Sequence, residues 1–149
     1  MRQYTKPKKG YEKKFFNQQR GFKTLTKPSL SAIKQHKKEM EALIDQMRAI
    51  TADEMIRILN PKIQGWANYY RRVVARETFQ HLDHWLWQKL WRWAVRRHPK
   101  KGRSWVADKY YKTIKGRRWR FVGEENLLNK YALVKIERHL IIRQGKIRL

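Results

Sequence analysis

From Leu30 to Trp93 apolar side chains recur every three or four positions between polar ones, the spacing of amphipathic helices. Ser29, directly after Pro28, is in position to cap a helix predicted to run to Met47 or Arg48. Leu30, Ile33, Met40, Leu43, Ile44 and Met47 share its inner face, with Lys34, Lys38, Glu41 and Asp45 opposite. Thr51 and Glu54 have the spacing of a capping box, opening a short second helix that turns Met55, Ile56 and Leu59 inward. Asn60 followed by Pro61 repeats the start signal: a capping side chain, then proline at the first helical position. A third helix is therefore expected from Pro61 to about Val74. It would bury Ile63, Trp66, Ala67, Tyr70, Val73 and Val74 and expose Gln64, Asn68, Arg71 and Arg72. Glu77 or Thr78 opens a long fourth helix that ends near Arg97, ahead of Pro99, with Phe79, Leu82, Leu86, Leu90 and Trp93 as one inward stripe. These segments read as a helical bundle with short connections.

The flanks follow a different pattern. Residues 1–27 alternate short apolar and basic stretches around Gly10 and Gly21, which predicts one or two short strands. Beyond Pro99, Lys100-Lys101-Gly102-Arg103 is a basic loop, and Ser104 is placed to cap a short helix through Tyr111. Gly116 to Val122 reads as a strand in which Arg118 and Arg120 alternate with Trp119 and Phe121, one face buried and one basic. Tyr131 to Arg143 fits strand and helix equally. The expected fold is mainly α, with a short N-terminal β-hairpin (1–28), a helical bundle (29–98) and a small mixed, basic C-terminal lobe (99–149).

Charge narrows the function classes. Lys and Arg number 37 against 12 acidic residues, a net +25, which opposes compaction and calls for a polyanionic partner. Seven Trp, seven Tyr and five Phe supply the buriable surface that disordered basic tails lack. No apolar run approaches the roughly 20 residues that span a bilayer. The basic start, Met1 to Lys9, leads into no apolar segment, so neither a membrane partner nor a secretory signal is expected. Cysteine is absent, which excludes disulfides, Cys-based zinc sites and thiol nucleophiles. The expected compartment is the cytoplasm, of a bacterial cell.

Binding chemistry concentrates on the long helix. At 100° per residue, Lys89, Arg92 and Arg96 fall on one flank with Trp85 among them and His81 nearby. Cations there suit phosphates and a ring suits an unpaired base, although Trp85 is equally suited to packing. Trp87 and Trp91, on the other flank, are expected in packing contacts. Arg96 to Arg103 holds six basic side chains in eight residues, His98 included, more than a helix dipole explains. Catalytic groupings are missing: Asp45, Asp53, Asp83 and Asp108 are scattered, whereas two-metal nucleotidyl transfer needs clustered carboxylates. His81 and His84 have helical metal-ligand spacing, but Asp83 is the one carboxylate nearby, so no metal site and no cofactor are expected.

One stretch is specific. Leu59-Asn60-Pro61-Lys62-Ile63-Gln64-Gly65-Trp66-Ala67-Asn68-Tyr69-Tyr70-Arg71 resembles the signature of the maturase-specific region in group II intron reverse transcriptases. Thr78-Phe79, Leu82-Asp83, Leu90 to Ala94 and Arg96 to Pro99 continue the likeness, followed by Trp105 and Lys109-Tyr110-Tyr111. Arg2-Gln3-Tyr4 resembles the join between palm and thumb, and Ile136-Glu137-Arg138-His139 a stretch ahead of the endonuclease domain. The resemblance implies a helical thumb that clasps intron RNA and holds template–primer duplex. It also implies an RNA-binding maturase with no enzyme activity of its own, because the fingers, the palm with its metal-binding aspartates, and the HNH endonuclease have no counterpart here. The RNA-binding face is expected to comprise Arg71, Arg72, Lys89, Arg92, Arg96, Arg97, Lys100, Lys101 and Arg103, with Trp85 and Arg118. Asn60, Pro61, Gly65, Trp66, Tyr70, Phe79 and Leu90 are assigned to architecture. Two rival roles remain open: a thumb subunit completing a reverse transcriptase palm supplied in trans, and a non-specific nucleic-acid-binding protein.

Overall fold

The computed structural model describes residues 26–137. The expected N-terminal hairpin and the far end of the Tyr131–Arg143 segment lie outside them. Four α-helices come first among the described residues: α1 (Leu30–Gln46), α2 (Ala52–Tyr70), α3 (Arg76–Arg97) and α4 (Arg103–Tyr110). An antiparallel hairpin of β1 (Tyr111–Ile114) and β2 (Arg117–Phe121) follows, then a single 3-10 turn at Tyr131–Leu133. The mainly α class expected from the sequence is the one observed. No described helix is long and apolar enough to cross a membrane.

The caps explain two of the helix starts. The Ser29 hydroxyl accepts the Ala32 N–H at 3.1 Å. Thr51 and Glu54 form the full capping box, each side chain accepting the other's backbone N–H at 3.3 and 3.0 Å. α1 turns Met40, Ile44 and Met47 inward as expected, but Leu30 at its first position is 77 % exposed and His36 is buried. Neither Glu77 nor Thr78 caps α3, which begins at Arg76 after Ala75 with no side-chain cap. Likewise Gly102, and not Ser104, precedes α4, which ends at Tyr110.

The largest departure is at Pro61. The chain does not start a new helix there, and α2 runs unbroken from Ala52 to Tyr70 with the proline inside it. Two facts account for this. Met55, Ile56, Leu59, Ile63 and Ala67 form one fully buried stripe that a break would split. The Asn60 side chain, moreover, is engaged elsewhere: its amide donates to the Leu127 carbonyl at 3.0 Å and its oxygen accepts the Asn129 N–H at 2.7 Å. Pro61 itself is exposed. α2 also stops earlier than expected. The Val74 N–H donates to the Thr26 carbonyl at 2.9 Å, and Val74 is 45 % exposed where burial was expected.

The core runs along Phe79, Leu82, Leu86, Leu90, Trp93 and Ala94 of α3 and is extended by Val106, Tyr110, Tyr111, Phe121 and Tyr131. Three polar side chains pin the segment after β2 onto the helices. The Asp53 carboxylate accepts the N–H groups of Glu124, Glu125 and Asn126 at 2.8–3.1 Å, and the Asn126 amide as well. Asn60 holds residues 127 and 129. Asp83 accepts the N–H groups of Tyr131 and Ala132 at 2.8 and 3.0 Å. Two of the scattered aspartates are thus backbone anchors.

Candidate nucleic-acid interface

An aromatic cluster sets the spacing of α1, α2 and α3. Trp66 stacks on His36 (4.9 Å between centroids, 17°) and meets Tyr70 at 4.4 Å, with Phe79 and Tyr131 edge-on at 6.1 and 6.0 Å. The His36 ring bonds the Tyr131 hydroxyl at 2.7 Å. Burial pushes the imidazole down to about 4, against a partly offsetting Glu39, and pushes the Tyr131 hydroxyl well up. Phe79 and Leu90 are fully buried, and Trp66 and Tyr70 pack against the core. Gly65 stands apart: it is exposed, and a Cβ built there meets nothing within 4 Å.

The two flanks of α3 face different surroundings. On one, Lys89 pairs with Glu41 of α1, and the Trp85 ring lies between Lys37 and Lys89, whose ammonium groups are 5.6 and 5.8 Å from its centroid. Lys37 also bonds His81 at 2.8 Å, and desolvation lowers its pKa. Arg48, Lys89, Arg92, Arg96 and Arg97 line a hollow of about 270 Å³ there, with Glu41 and Asp45 as its acids. Arg97 is committed to the fold: it donates to the carbonyls of Arg48 and Ile50 and lies over the Trp93 ring at 5.2 Å. On the other flank Trp87 and Trp91 stack against each other and meet Tyr111 at a tilt, in packing contacts as expected.

Past α3 the basic run continues in solvent. Lys101 and Lys109 both sit 5.1 Å from the centroid of the exposed Trp105 ring, which packs edge-on against His98. Burial and the neighbouring Lys109, Arg97 and Lys101 lower the His98 pKa. The expected basic face of β2 does not form. Arg120 is only 5 % exposed and donates to the Leu128 carbonyl at 2.8 Å, while Trp119 is 51 % exposed. The reason is local: Trp119 has a φ of 59°, and the strand pairing slips between Lys112 and Ile114, so the alternation breaks, with Arg118 and Trp119 both exposed and Arg120 and Phe121 both buried.

The eleven expected contact residues therefore divide. Arg92, Arg96, Lys100, Lys101, Arg103 and Arg118 are exposed and in no ion pair among the described residues. Arg71 and Arg72 both pair with Glu137, at 3.5 and 3.7 Å. Lys89, Arg97 and Trp85 are tied into the fold. Sequence reasoning passed over Arg48, Lys109 and Trp105 as contact candidates. A ring three to five positions from lysines on both sides could have flagged Trp105, whereas only the fold brings Arg48 to α3. No group of three metal-ligating side chains gathers among the described residues.

Comparison with known proteins agrees with this architecture. The chain is 31 % identical over 123 residues to the ribosomal operon-associated A protein of Euglena longa, a match that takes in 82 % of this chain and 23 % of that protein. The chain thus spans under a quarter of that relative's length. Residues 33–111, from the inner face of α1 to the first residue of β1, match the family described as group II intron, maturase-specific domain. That domain is distinct from a catalytic polymerase domain. On this match the chain belongs to the group II intron maturase-specific domain family.

Proposed function

We propose that the chain binds folded group II intron RNA and stabilises the conformation that splices. The observation that carries this reading is the row of exposed cations from Arg92 and Arg96 through Lys100, Lys101 and Arg103, in no ion pair among the described residues, on a member of a maturase-specific family. Glu54, Asp53 and Asp83 serve as a helix cap and as backbone anchors, and the row's cations are in no ion pair among the described residues. A duplex or folded RNA presents phosphates at the density such a row can neutralise. Arg48 and Lys109 extend the row, and the Trp105 ring offers a stacking face between two lysines. Arg71 and Arg72 join it only if Glu137 releases them. An RNA/DNA duplex would engage the same row. In this reading the chain acts by binding.

Affinity for a group II intron RNA, measured against an unrelated RNA of equal length across a salt series, tests this. Contacts to about 6–10 phosphates weaken binding by roughly 10³–10⁵ between 50 and 200 mM salt in the duplex limit. A preference for the intron that persists at high salt supports the reading. Equal loss for both RNAs makes the chain a non-specific nucleic-acid clamp. Arg96→Ala should weaken binding with the melting temperature unchanged, because its side chain is exposed and makes no ion pair among the described residues.

A second reading, a subunit completing a reverse transcriptase palm in trans, is favoured by the outer face of α2. Ile58 (44 % exposed) and Tyr69 (77 % exposed) lie on that face with the exposed Gly65, interrupted by Lys62. Co-purification with a palm fragment, lost on Tyr69→Lys, would favour it.

A further inference from the structure

Between α3 and the β1–β2 hairpin, on the opposite flank from the cationic row, lies a hollow of about 660 Å³. That size is within the ~300–1,000 Å³ of clefts that hold small ligands. Its walls are aromatic. Trp87 and Trp91 lie parallel with centroids 6.0 Å apart, and Trp119 meets Trp87 at 87°. Arg117 and Lys130 also line it. The one acid in the lining, Asp83, has both oxygens engaged by the N–H groups of Tyr131 and Ala132.

Two further features point to a ligand. Trp87 and Arg120 both line the hollow, and the indole N–H of the one and the Nε–H of the other are buried with no acceptor among the described residues. Buried donors without partners are rare in folded chains, and two in one wall call for a ligand rich in acceptors. Trp119 holds a left-handed backbone (φ 59°) that a bulky side chain seldom adopts, and keeps its ring half exposed at the hollow. Strain of this kind clusters at binding sites.

We propose that this hollow takes an unpaired nucleobase of RNA, stacked on Trp119, with its phosphate against Arg117 or Lys130. An aliphatic side chain from a protein partner would suit the rings, but it offers nothing to the two donors or the cations. A base offers ring nitrogens and carbonyl oxygens as acceptors, a π-face, and an attached negative charge. The inference rests on the RNA-binding reading above and adds a single-strand contact to it.

The test compares the full chain with Trp119→Ala, Trp119→Asn and Trp119→Phe for binding a short single-stranded RNA and the duplex it forms with its complement. Asparagine tolerates the left-handed backbone without supplying a stacking face, so it separates lost stacking from altered folding. Trp119→Ala and Trp119→Asn should lower single-strand affinity about tenfold and leave duplex affinity unchanged, while Trp119→Phe retains most of the binding. Thiouridine placed in the single strand should cross-link to the peptide carrying residues 117–121. If single-strand affinity is unchanged in both variants, the hollow belongs to a protein side chain and the inference is overturned. Equal loss for strand and duplex overturns it too. A parent chain that binds neither RNA at any salt concentration sinks the RNA-binding reading itself, which is a different result.

Discussion

His36 makes the stability of this chain depend on pH. Unfolded, its imidazole titrates near 6.5; buried against Trp66 and Tyr131, near 4. Between those values the folded chain binds fewer protons than the unfolded one. The contribution is therefore complete above pH 6.5 and is lost as pH falls toward 4, by up to about 3 kcal/mol. Urea denaturation at pH 7 and pH 4.5 should show this difference, and His36→Gln, which keeps a polar partner for Tyr131, should flatten it. Gly123 carries a second prediction. A methyl group there would strike the Asp53 carboxylate, which the Glu124, Glu125 and Asn126 donors hold below its ordinary pKa against the opposing pull of burial. Gly123→Ala is expected to cost about 1–3 kcal/mol, the scale of hydrogen bonds lost. In an Asp53→Ala background the same change should cost much less, a coupling that a double-mutant cycle would measure.

At the scale of elements, α2 offers the sharpest experiment. Gly65 lies inside a helix, is exposed, and has open space where a Cβ would go. Gly65→Ala should therefore raise the unfolding free energy by about 0.5–1 kcal/mol, read from the denaturation midpoint. A loss would mean that the glycine serves a contact outside the described residues. The assignment of Gly65 to architecture came from its place in a motif, and motif membership does not distinguish packing from docking. The helices themselves were legible because their apolar period and their caps are local: Ser29 and the Thr51–Glu54 box are used as their spacing suggested. Asn60-Pro61 misled because the same asparagine that can cap a helix is engaged by residues 127 and 129, some 70 positions away, and no local window contains that. The Arg118/Arg120 alternation misled for a different reason. One left-handed residue breaks a strand's alternation, and nothing in the identity of Trp119 announces it. Of the candidate site, the basic run beyond α3 was legible as charge. The engagement of Arg97 and Lys89 was not, because their partners lie on α1 and the loop after it.

For the molecule as a whole, charge and packing act against each other. A net charge of +25 strains the compact state through self-repulsion, so the melting temperature should climb with added salt. It should climb further with a polyanion that binds the folded chain alone. Differential scanning calorimetry in sodium chloride and then in heparin would show both steps, and a flat response would mean the cations are already neutralised within the fold. The three anchors of the segment after β2 have a further consequence. The stretch that defines the family ends at Tyr111, yet Asp53, Asn60, Asp83 and His36 all find their partners between Glu124 and Ala132. A reading frame that stopped at Tyr111 would keep the four described α-helices and lose the piece that closes over Trp66 and Phe79. Such a chain should keep its far-ultraviolet helical signal while its near-ultraviolet signal collapses. What is inherited as the recognisable domain and what must be translated to obtain a fixed core are of different lengths, and a gene decaying from its far end would lose the core before it lost the signature.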